Sequence, residues 1–237
     1  MKNTLKTIAM KGALLAGMVL SLAGCNEKGP FTDARDGKTY KTVRIGSQTW
    51  MAENLNYETD ESYCFGNDPA NCEEYGRLYT WAAAMDSATV FGEGGKGCGY
   101  GVECIPVYPV RGVCPEGWHL PSDAEWNALE KFVADSLFGG NTDSVGYALK
   151  SRGGWEEYKG KPGNGSDAFG FGALPAGGRY GDGTFDGVLE YAFFWSSTEN
   201  GADSAYSRLL YCRFGTGLFT GRSYKVVAIS VRCVKDS

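Results

Sequence analysis

The sequence predicts a coil-rich α+β fold with few long helices. Three observations carry this expectation. The chain has 35 glycines in 237 residues, together with 14 tyrosines and six tryptophans, a composition of tight turns and aromatic packing. From residue 168 onward, FGFGALPAGGRY, FDGVLEYAFFWSSTE, AYSRLLYCRFG and YKVVAISVRCVKD are runs rich in aromatic and β-branched residues. GDG, NGAD and TGR separate them as turns, and helical spacing appears in only a few short segments.

Taken in order, Lys2, Lys6 and Lys11 precede the apolar run GALLAGMVLSLA at 12 to 23, which leads into Gly24 and Cys25. This reads as a secretory leader over residues 1–24, and LAGC at 22 to 25 matches a lipobox with Cys25 as the lipid attachment. The run is too short to span a bilayer, so a lipid anchor would be the only membrane contact. Residues 25–32 then form a polar tether and residues 33–237 one folded domain. Asn26 after the lipidated cysteine tilts the expected location towards the outer membrane, periplasmic or surface-exposed. Loss of the three leader lysines lowers the formal charge of −5 by three, which disfavours nucleic acid and anionic lipid as partners.

DARDGKTYKTVRIGSQTWMAENL reads as strand, turn, strand, with turns at DGK and IGS. A cysteine-bounded turn-rich stretch follows, and then GRLYTWAAAMDSA, where Leu78, Trp81, Ala82 and Met85 recur at helical spacing. Residues 92–109 form a glycine-rich excursion. Ser122 and Glu125 make a capping box, and Trp126, Leu129 and Val133 line one face of a helix over about 122 to 135. VGYALKS is a short helix, and WEEYKGKPGNGSD a long polar loop.

Setting Cys25 aside leaves seven cysteines in an oxidising compartment, so one stays outside any bridge within the chain and many pairings are open. Context narrows them. Cys64 and Cys72 bracket FGNDPAN, and Cys98 and Cys104 bracket GYGVE, turn-rich stretches that gain order from a short covalent loop. Cys114 and Cys233 would tie the middle of the chain to its end. Cys212, in SRLLYCRFG, is then the unbridged thiol, read as a small buried hydrophobe.

The stretch RGVCPEGWHLPSDAEW, 111 to 126, gathers Cys114, the chain's one histidine His119 and two indoles. A catalytic thiol–imidazole pair would need Cys114 reduced. The bridge instead makes the stretch a structural pin, with His119 hydrogen-bonded where the helix begins. One histidine also excludes a three-histidine zinc site and a two-histidine iron site. GDGTFDG at 181 to 187 and NGSD at 164 to 167 carry calcium-type donors without the full loop register, so calcium is the one cofactor considered and no metal site is assigned. Trp155 and Tyr158 in the polar loop, with Tyr180, Phe185 and Tyr191 around the next turns, form the expected ligand face.

IGSQTWMAENL, YGRLYTWAAAM, VCPEGWHLPSDAEW, FGFGALPAGGRY, FWSSTE and SVRCVKD, in order over residues 33 to 237, resemble the Fibrobacter succinogenes major paralogous domain. That family is more distantly similar to formylglycine-generating sulfatase-modifying enzymes. The resemblance implies a C-type lectin-like fold, a twisted antiparallel sheet with two main helices and much ordered coil. It implies no activity. The EPN and QPD sugar motifs of calcium-binding lectins are missing, and Cys212 and Cys233 do not reproduce the close thiol pair of the copper-dependent oxidases. The reading is therefore a lipid-anchored, non-catalytic module that binds a polysaccharide or a cell-envelope protein. Its rivals are an enzyme of the oxidase type using Cys212 and a purely structural envelope protein.

Overall fold

The computed structural model describes residues 29–86, 94–212 and 216–237. The expected leader, Cys25 and the expected tether up to residue 28 lie outside them. Strands β1 (Phe31–Thr32) and β2 (Thr39–Tyr40) pair as a hairpin whose loop is closed by buried Asp33, which accepts from Arg35 Nε at 2.9 Å. Strand β3 (Thr42–Ile45) turns at Gly46 into β4 (Gln48–Met51). Gly46 has φ +63°, and an added Cβ would meet the Phe132 ring at 2.9 Å, so both backbone and space require glycine there. The DGK and IGS turns thus fall where the alternation placed them.

Strand β5 (Ser62–Tyr63) precedes helix α1 (Pro69–Tyr75), which occupies a stretch read from sequence as turns alone. Its signal was present: Asp68 caps the Ala70 amide at 2.9 Å, and Pro69 sits in the first turn, where its missing N–H costs nothing. The expected helix over GRLYTWAAAMDSA is corrected by the structure. Leu78–Thr80 is strand β6, buried at all three residues and paired with residues Ala228–Ser230. Only Trp81–Ala84 is helical (α2), and residues 87–88 lie outside the described chain. A short apolar run fits either period, and here neighbouring strands on both sides decide it.

Strand β7 (Trp118–His119) leads into helix α3 (Asp123–Phe138), where the capping box forms as expected. Ser122 Oγ accepts from the Glu125 amide at 3.3 Å, and Glu125 Oε2 accepts from the Ser122 amide at 2.8 Å. Trp126, Leu129 and Val133 are buried, and Gly139 ends the helix at φ +60°. The short helix α4 (Val145–Leu149) follows.

The remaining strands are β8 (Ala176–Arg179), β9 (Phe185–Val188), β10 (Tyr191–Glu199), β11 (Ser204–Tyr211), β12 (Phe219–Tyr224), β13 (Ala228–Ser230) and β14 (Val234–Lys235). The TGR expected as a turn lies inside β12, because Thr220, Gly221 and Arg222 pair with Arg208, Ser207 and Tyr206 of β11. Pairing along a whole strand outweighs one local glycine.

The fold is α+β. An eight-stranded sheet runs β12-β11-β10-β8-β13-β6-β5 with β9 on β8, antiparallel except where β10 meets β8 and β13. A four-stranded antiparallel sheet runs β3-β4-β14-β7. Strand β10 feeds two cores by alternation. Phe194 joins Trp50, Trp126 and Phe171 beside α3, with Trp50 and Trp126 ring centroids 4.7 Å apart. Trp195 joins Tyr79, Trp81 and the Cys114–Cys233 region, its indole donating to Tyr79 O at 2.7 Å.

Residues 231–233 carry the chain from the large sheet to the small one. Arg232, fully buried, donates from Nη2 to Asn54 Oδ1 at 2.6 Å and from Nη1 to Met51 O and Phe171 O. Its guanidinium lies 4.5 Å from the Phe171 ring centroid. Burial pulls its pKa down to about 9, which leaves it charged at neutral pH. The three expected disulfides are present: Cys64–Cys72, Cys98–Cys104 and Cys114–Cys233. Cys212 is in none of them. No helix among the described residues is long and apolar enough to cross a membrane.

Candidate functional site

The antiparallel register of β10, β11 and β12 sets Tyr191 opposite Tyr211, and Leu209 opposite both Phe193 and Phe219. Residues opposite one another share a face of the sheet. Four rings therefore form a row. Phe193 and Tyr191 stack at 5.6 Å, Tyr191 and Tyr211 tilt together at 6.2 Å, and Tyr211 meets Phe219 at 5.2 Å. The inner end, Phe193, rests on the core, and the outer end, Phe219, is 39% exposed. Gly187 of β9 presses against the row, since a Cβ there would meet the Tyr191 ring at 2.7 Å.

Charged groups collect where this row meets the polar loop. The Cys212 amide donates to Glu190 O at 3.0 Å and the Glu156 amide to Leu189 O at 2.8 Å. These contacts bring a carboxylate oxygen of Glu156, one of Glu190 and the Cys212 sulfur within 4.8 Å of one another. Lys150, buried close by, donates from Nζ to Gly163 O at 2.5 Å and to Tyr211 O at 3.4 Å. Burial lowers its pKa, and the nearby Cys212 opposes that shift. Two carboxylates and a thiol are a donor set of the kind that holds zinc. Spacings of 34 and 22 residues along the chain hid the set from any motif search.

Of the five expected ligand residues, Tyr191 belongs to the row. Trp155 is corrected: it is 6% exposed, a core residue whose indole donates to Ser151 Oγ at 3.0 Å and Ala173 O at 3.1 Å. Its polar neighbours in sequence concealed the apolar cavity it fills, and all six tryptophans are at least as buried as it is. Tyr158 is half-buried in a turn closed by reciprocal backbone bonds with Lys161. Phe185 packs against Phe65 at 5.4 Å, while Tyr180 stands half-exposed at the β8–β9 turn. Phe193, Tyr211 and Phe219 were missed. The alternation in YAFFWSSTE and SRLLYCRFG held the signal for the first two, but which strands lie side by side had to be known to assemble them.

The calcium-type turns spend their oxygens locally. Asp182 Oδ1 accepts from the Thr184 amide and hydroxyl at 3.0 and 2.7 Å, and Asn164 Oδ1 from the Trp155 amide at 3.1 Å. Asp167 Oδ1 accepts from the Gly172 amide at 2.8 Å, and Asp186 Oδ1 from the Gly187 amide at 2.8 Å. Only the Asp182 bonds to Thr184, two residues on, form an Asx turn; Asn164, Asp167 and Asp186 each accept from a backbone amide at another spacing.

At residues 111–126, Cys114 is oxidised, and His119 lies between two carboxylates. Its Nδ1 is 2.6 Å from Asp236 Oδ1 and its Nε2 2.8 Å from Glu125 Oε1. Both partners are acceptors, so both ring nitrogens must carry protons and the imidazolium is the form that fits. Burial works against that charge, but the hydrogen bonds the ring donates to Glu125 and Asp236 outweigh it and raise the His119 pKa above 6.5. Burial likewise opposes the charge on Glu125, and the His119 and Ser122 hydrogen bonds overcome it, lowering the carboxyl below 4.5. His119 lines an open cleft of about 940 Å³ with Tyr108, Pro109, Asp123, Glu125 and Asp236. With both nitrogens engaged and Cys233 committed to Cys114, neither a thiol–imidazole pair nor a Cys212–Cys233 dithiol is available.

Comparison with curated proteins and with solved structures returns no match. Residues 43–235 match the profile of the Fibrobacter succinogenes major domain, which takes in β3 through β14 and thus both sheets and the aromatic row. The chain belongs to the Fibrobacter succinogenes major domain family.

Proposed function

We propose that the protein is a lipid-anchored, non-catalytic module of the cell envelope that binds polysaccharide along the Phe193–Tyr191–Tyr211–Phe219 row. The observation that carries this reading is the row itself, four rings in contact across three strands, running from the core to a half-exposed end and flanked by Glu156 and Glu190. Sugar C–H faces pack on such rings, while carboxylates accept from the hydroxyls; Tyr in particular offers an apolar body with a polar tip. A half-buried row is also ordered before binding, which reduces the side-chain entropy lost on complex formation.

The lipid anchor at Cys25 and the outer-membrane location rest on the lipobox and leader. The domain is taken as residues 33–237 behind a tether at 25–32, with β1 (Phe31–Thr32) drawing the last two tether residues into the fold. The C-type lectin-like architecture draws support from the pairing of early strand β4 with final strand β14 and from the α3 cap beside them.

The test is retention of the full chain on insoluble cellulose, xylan, mannan and chitin, and by affinity electrophoresis on soluble glycans. Tyr211→Ala and Phe219→Ala should each weaken binding about tenfold, roughly 1.4 kcal/mol, with the melting temperature monitored as a check on folding. Failure of the native chain to bind any of these glycans, or undiminished binding by folded variants, would overturn the reading.

A further inference from the structure

The segment from Cys98 to Pro109 presents apolar side chains to solvent on a backbone that is tied down from several directions. Ile105 is 97% exposed and Val107 73%, with Tyr100, Val102 and Tyr108 each about half exposed. Single exposed hydrophobics are ordinary, whereas five within nine residues form a patch. The ties are specific. The Cys98–Cys104 bridge closes the loop, the Gly101 amide donates to Ala202 O at 3.0 Å, and the Cys104 amide donates to both Glu199 carboxylate oxygens at 3.1 Å. Lys225 Nζ, on a fully buried side chain, donates to Val102 O at 2.6 Å and pairs with the same Glu199. Tyr108 Oη donates to Ser197 O at 3.3 Å.

This arrangement holds the backbone in place while leaving its apolar side chains uncovered. A buried Lys–Glu pair is a costly tether, since both charges lose water. What the tether does is remove the loop's backbone freedom in advance, and that lost freedom is a large part of the cost of docking. Tyr108 and Pro109 also form one wall of the 940 Å³ cleft, whose other lining residues include Asp123, Glu125 and Asp236. In that lining Glu125 and Asp236 hold the His119 imidazolium while Asp123 pairs with the buried Arg208 guanidinium, so three carboxylates meet two cations and the cleft keeps a net negative charge beside an apolar wall. A basic side chain next to an apolar one complements it. An anionic lipid surface does not.

We propose that this groove, with its wall at Tyr108 and Pro109 and its acids at Asp123, Glu125 and Asp236, docks a basic, apolar-flanked peptide segment of a second protein, with the exposed Ile105 and Val107 of the same segment adding contact beyond the wall. The groove meets the Glu199 end of β10, whereas the aromatic row meets the Tyr191 end. At about 3.3 Å per residue these are roughly 25 Å apart, so the two surfaces can be occupied together.

The experiment selects a displayed library of random 12-residue peptides on the immobilised full chain, and then measures individual winners by fluorescence anisotropy. Enrichment of sequences that place Lys or Arg within a few positions of Val, Ile, Leu or an aromatic residue is expected. Binding should weaken at least tenfold in an Ile105→Ser/Val107→Ser variant and about threefold in Asp236→Asn. The first pair is exposed and its folding is checked by thermal melting. Absence of enrichment, enrichment of acidic or wholly polar peptides, or unchanged binding by the folded variants overturns the proposal. Stronger association with phosphatidylglycerol vesicles than with any peptide overturns it in favour of a lipid surface.

Discussion

His119 ties its own charge to the position of the chain's final strand, because the same imidazolium holds Glu125 at the start of α3 and Asp236 just beyond β14. The consequence for pH follows from the two shifts. A histidine raised above 6.5 stabilises the fold fully below that value and loses the contribution as pH rises through its folded pKa. Glu125, lowered below 4.5, contributes above that value and loses the contribution as pH falls through its folded pKa. The clasp is therefore strongest between about 4.5 and 6.5. Denaturant melts should show stability falling on the alkaline side of 6.5, and His119→Gln should flatten that slope and shrink the acid limb as well, because Glu125 loses a hydrogen bond that lowers its pKa. A slope that persists in the variant would assign it to another group. At this scale the cysteine pairs were readable, since two of them enclose short turn-rich loops in which a bridge closes easily. Trp155 was not, because WEEYKGK is polar in sequence while its indole fills a cavity between Ser151 and Ala173, contributed by residues on either side of it in the chain.

Elements specified by local chemistry were legible, and elements specified by distant partners were not. Helix α3 announces itself within four residues, as Ser122 and Glu125 exchange hydrogen bonds across its first turn. Ser122→Ala removes one amide acceptor and leaves Glu125 to hold the other, so it should cost about 1 kcal/mol by denaturant titration with the fold unchanged. A loss much above 2 kcal/mol would mean that the hydroxyl serves more than the cap; its 2.8 Å bond to Glu125 Oε2, the carboxylate that also grips His119, is the route by which it could. Strands β6 and β12 are the opposite case. LYT takes its conformation from Ser62–Tyr63 on one side and Ala228–Ser230 on the other, and FTGRSY from β11. The aromatic row inherits this limit: each ring stands in a readable strand, yet the row exists only through the pairing of β10, β11 and β12.

For the molecule as a whole, the decisive feature is that the last ten residues serve both sheets. β13 pairs with β6 and β8 in the large sheet, Arg232 satisfies carbonyls from the β4 end and the Phe171 loop, Cys233 bonds Cys114, and β14 fills the small sheet between β4 and β7. Removing these contacts in steps should separate their contributions. A chain ending at Lys235 keeps β14 and loses only the Asp236 contacts to His119 and Gly117, so it should fold with a slightly lower melting temperature. Cys114→Ser/Cys233→Ser keeps every strand and should lose about 2–5 kcal/mol, the usual effect of a native bridge. A chain ending at Ser230 loses β14, Arg232 and the bridge together. Against a typical total of about 5–15 kcal/mol, that combined loss leaves the small sheet open and the Trp50–Trp126 core uncovered, so no cooperative melt should remain. Near-ultraviolet circular dichroism, dominated here by six buried tryptophans, reads all three variants directly. A native spectrum from the Ser230 chain would show that the large sheet and α3 hold the fold without the small one.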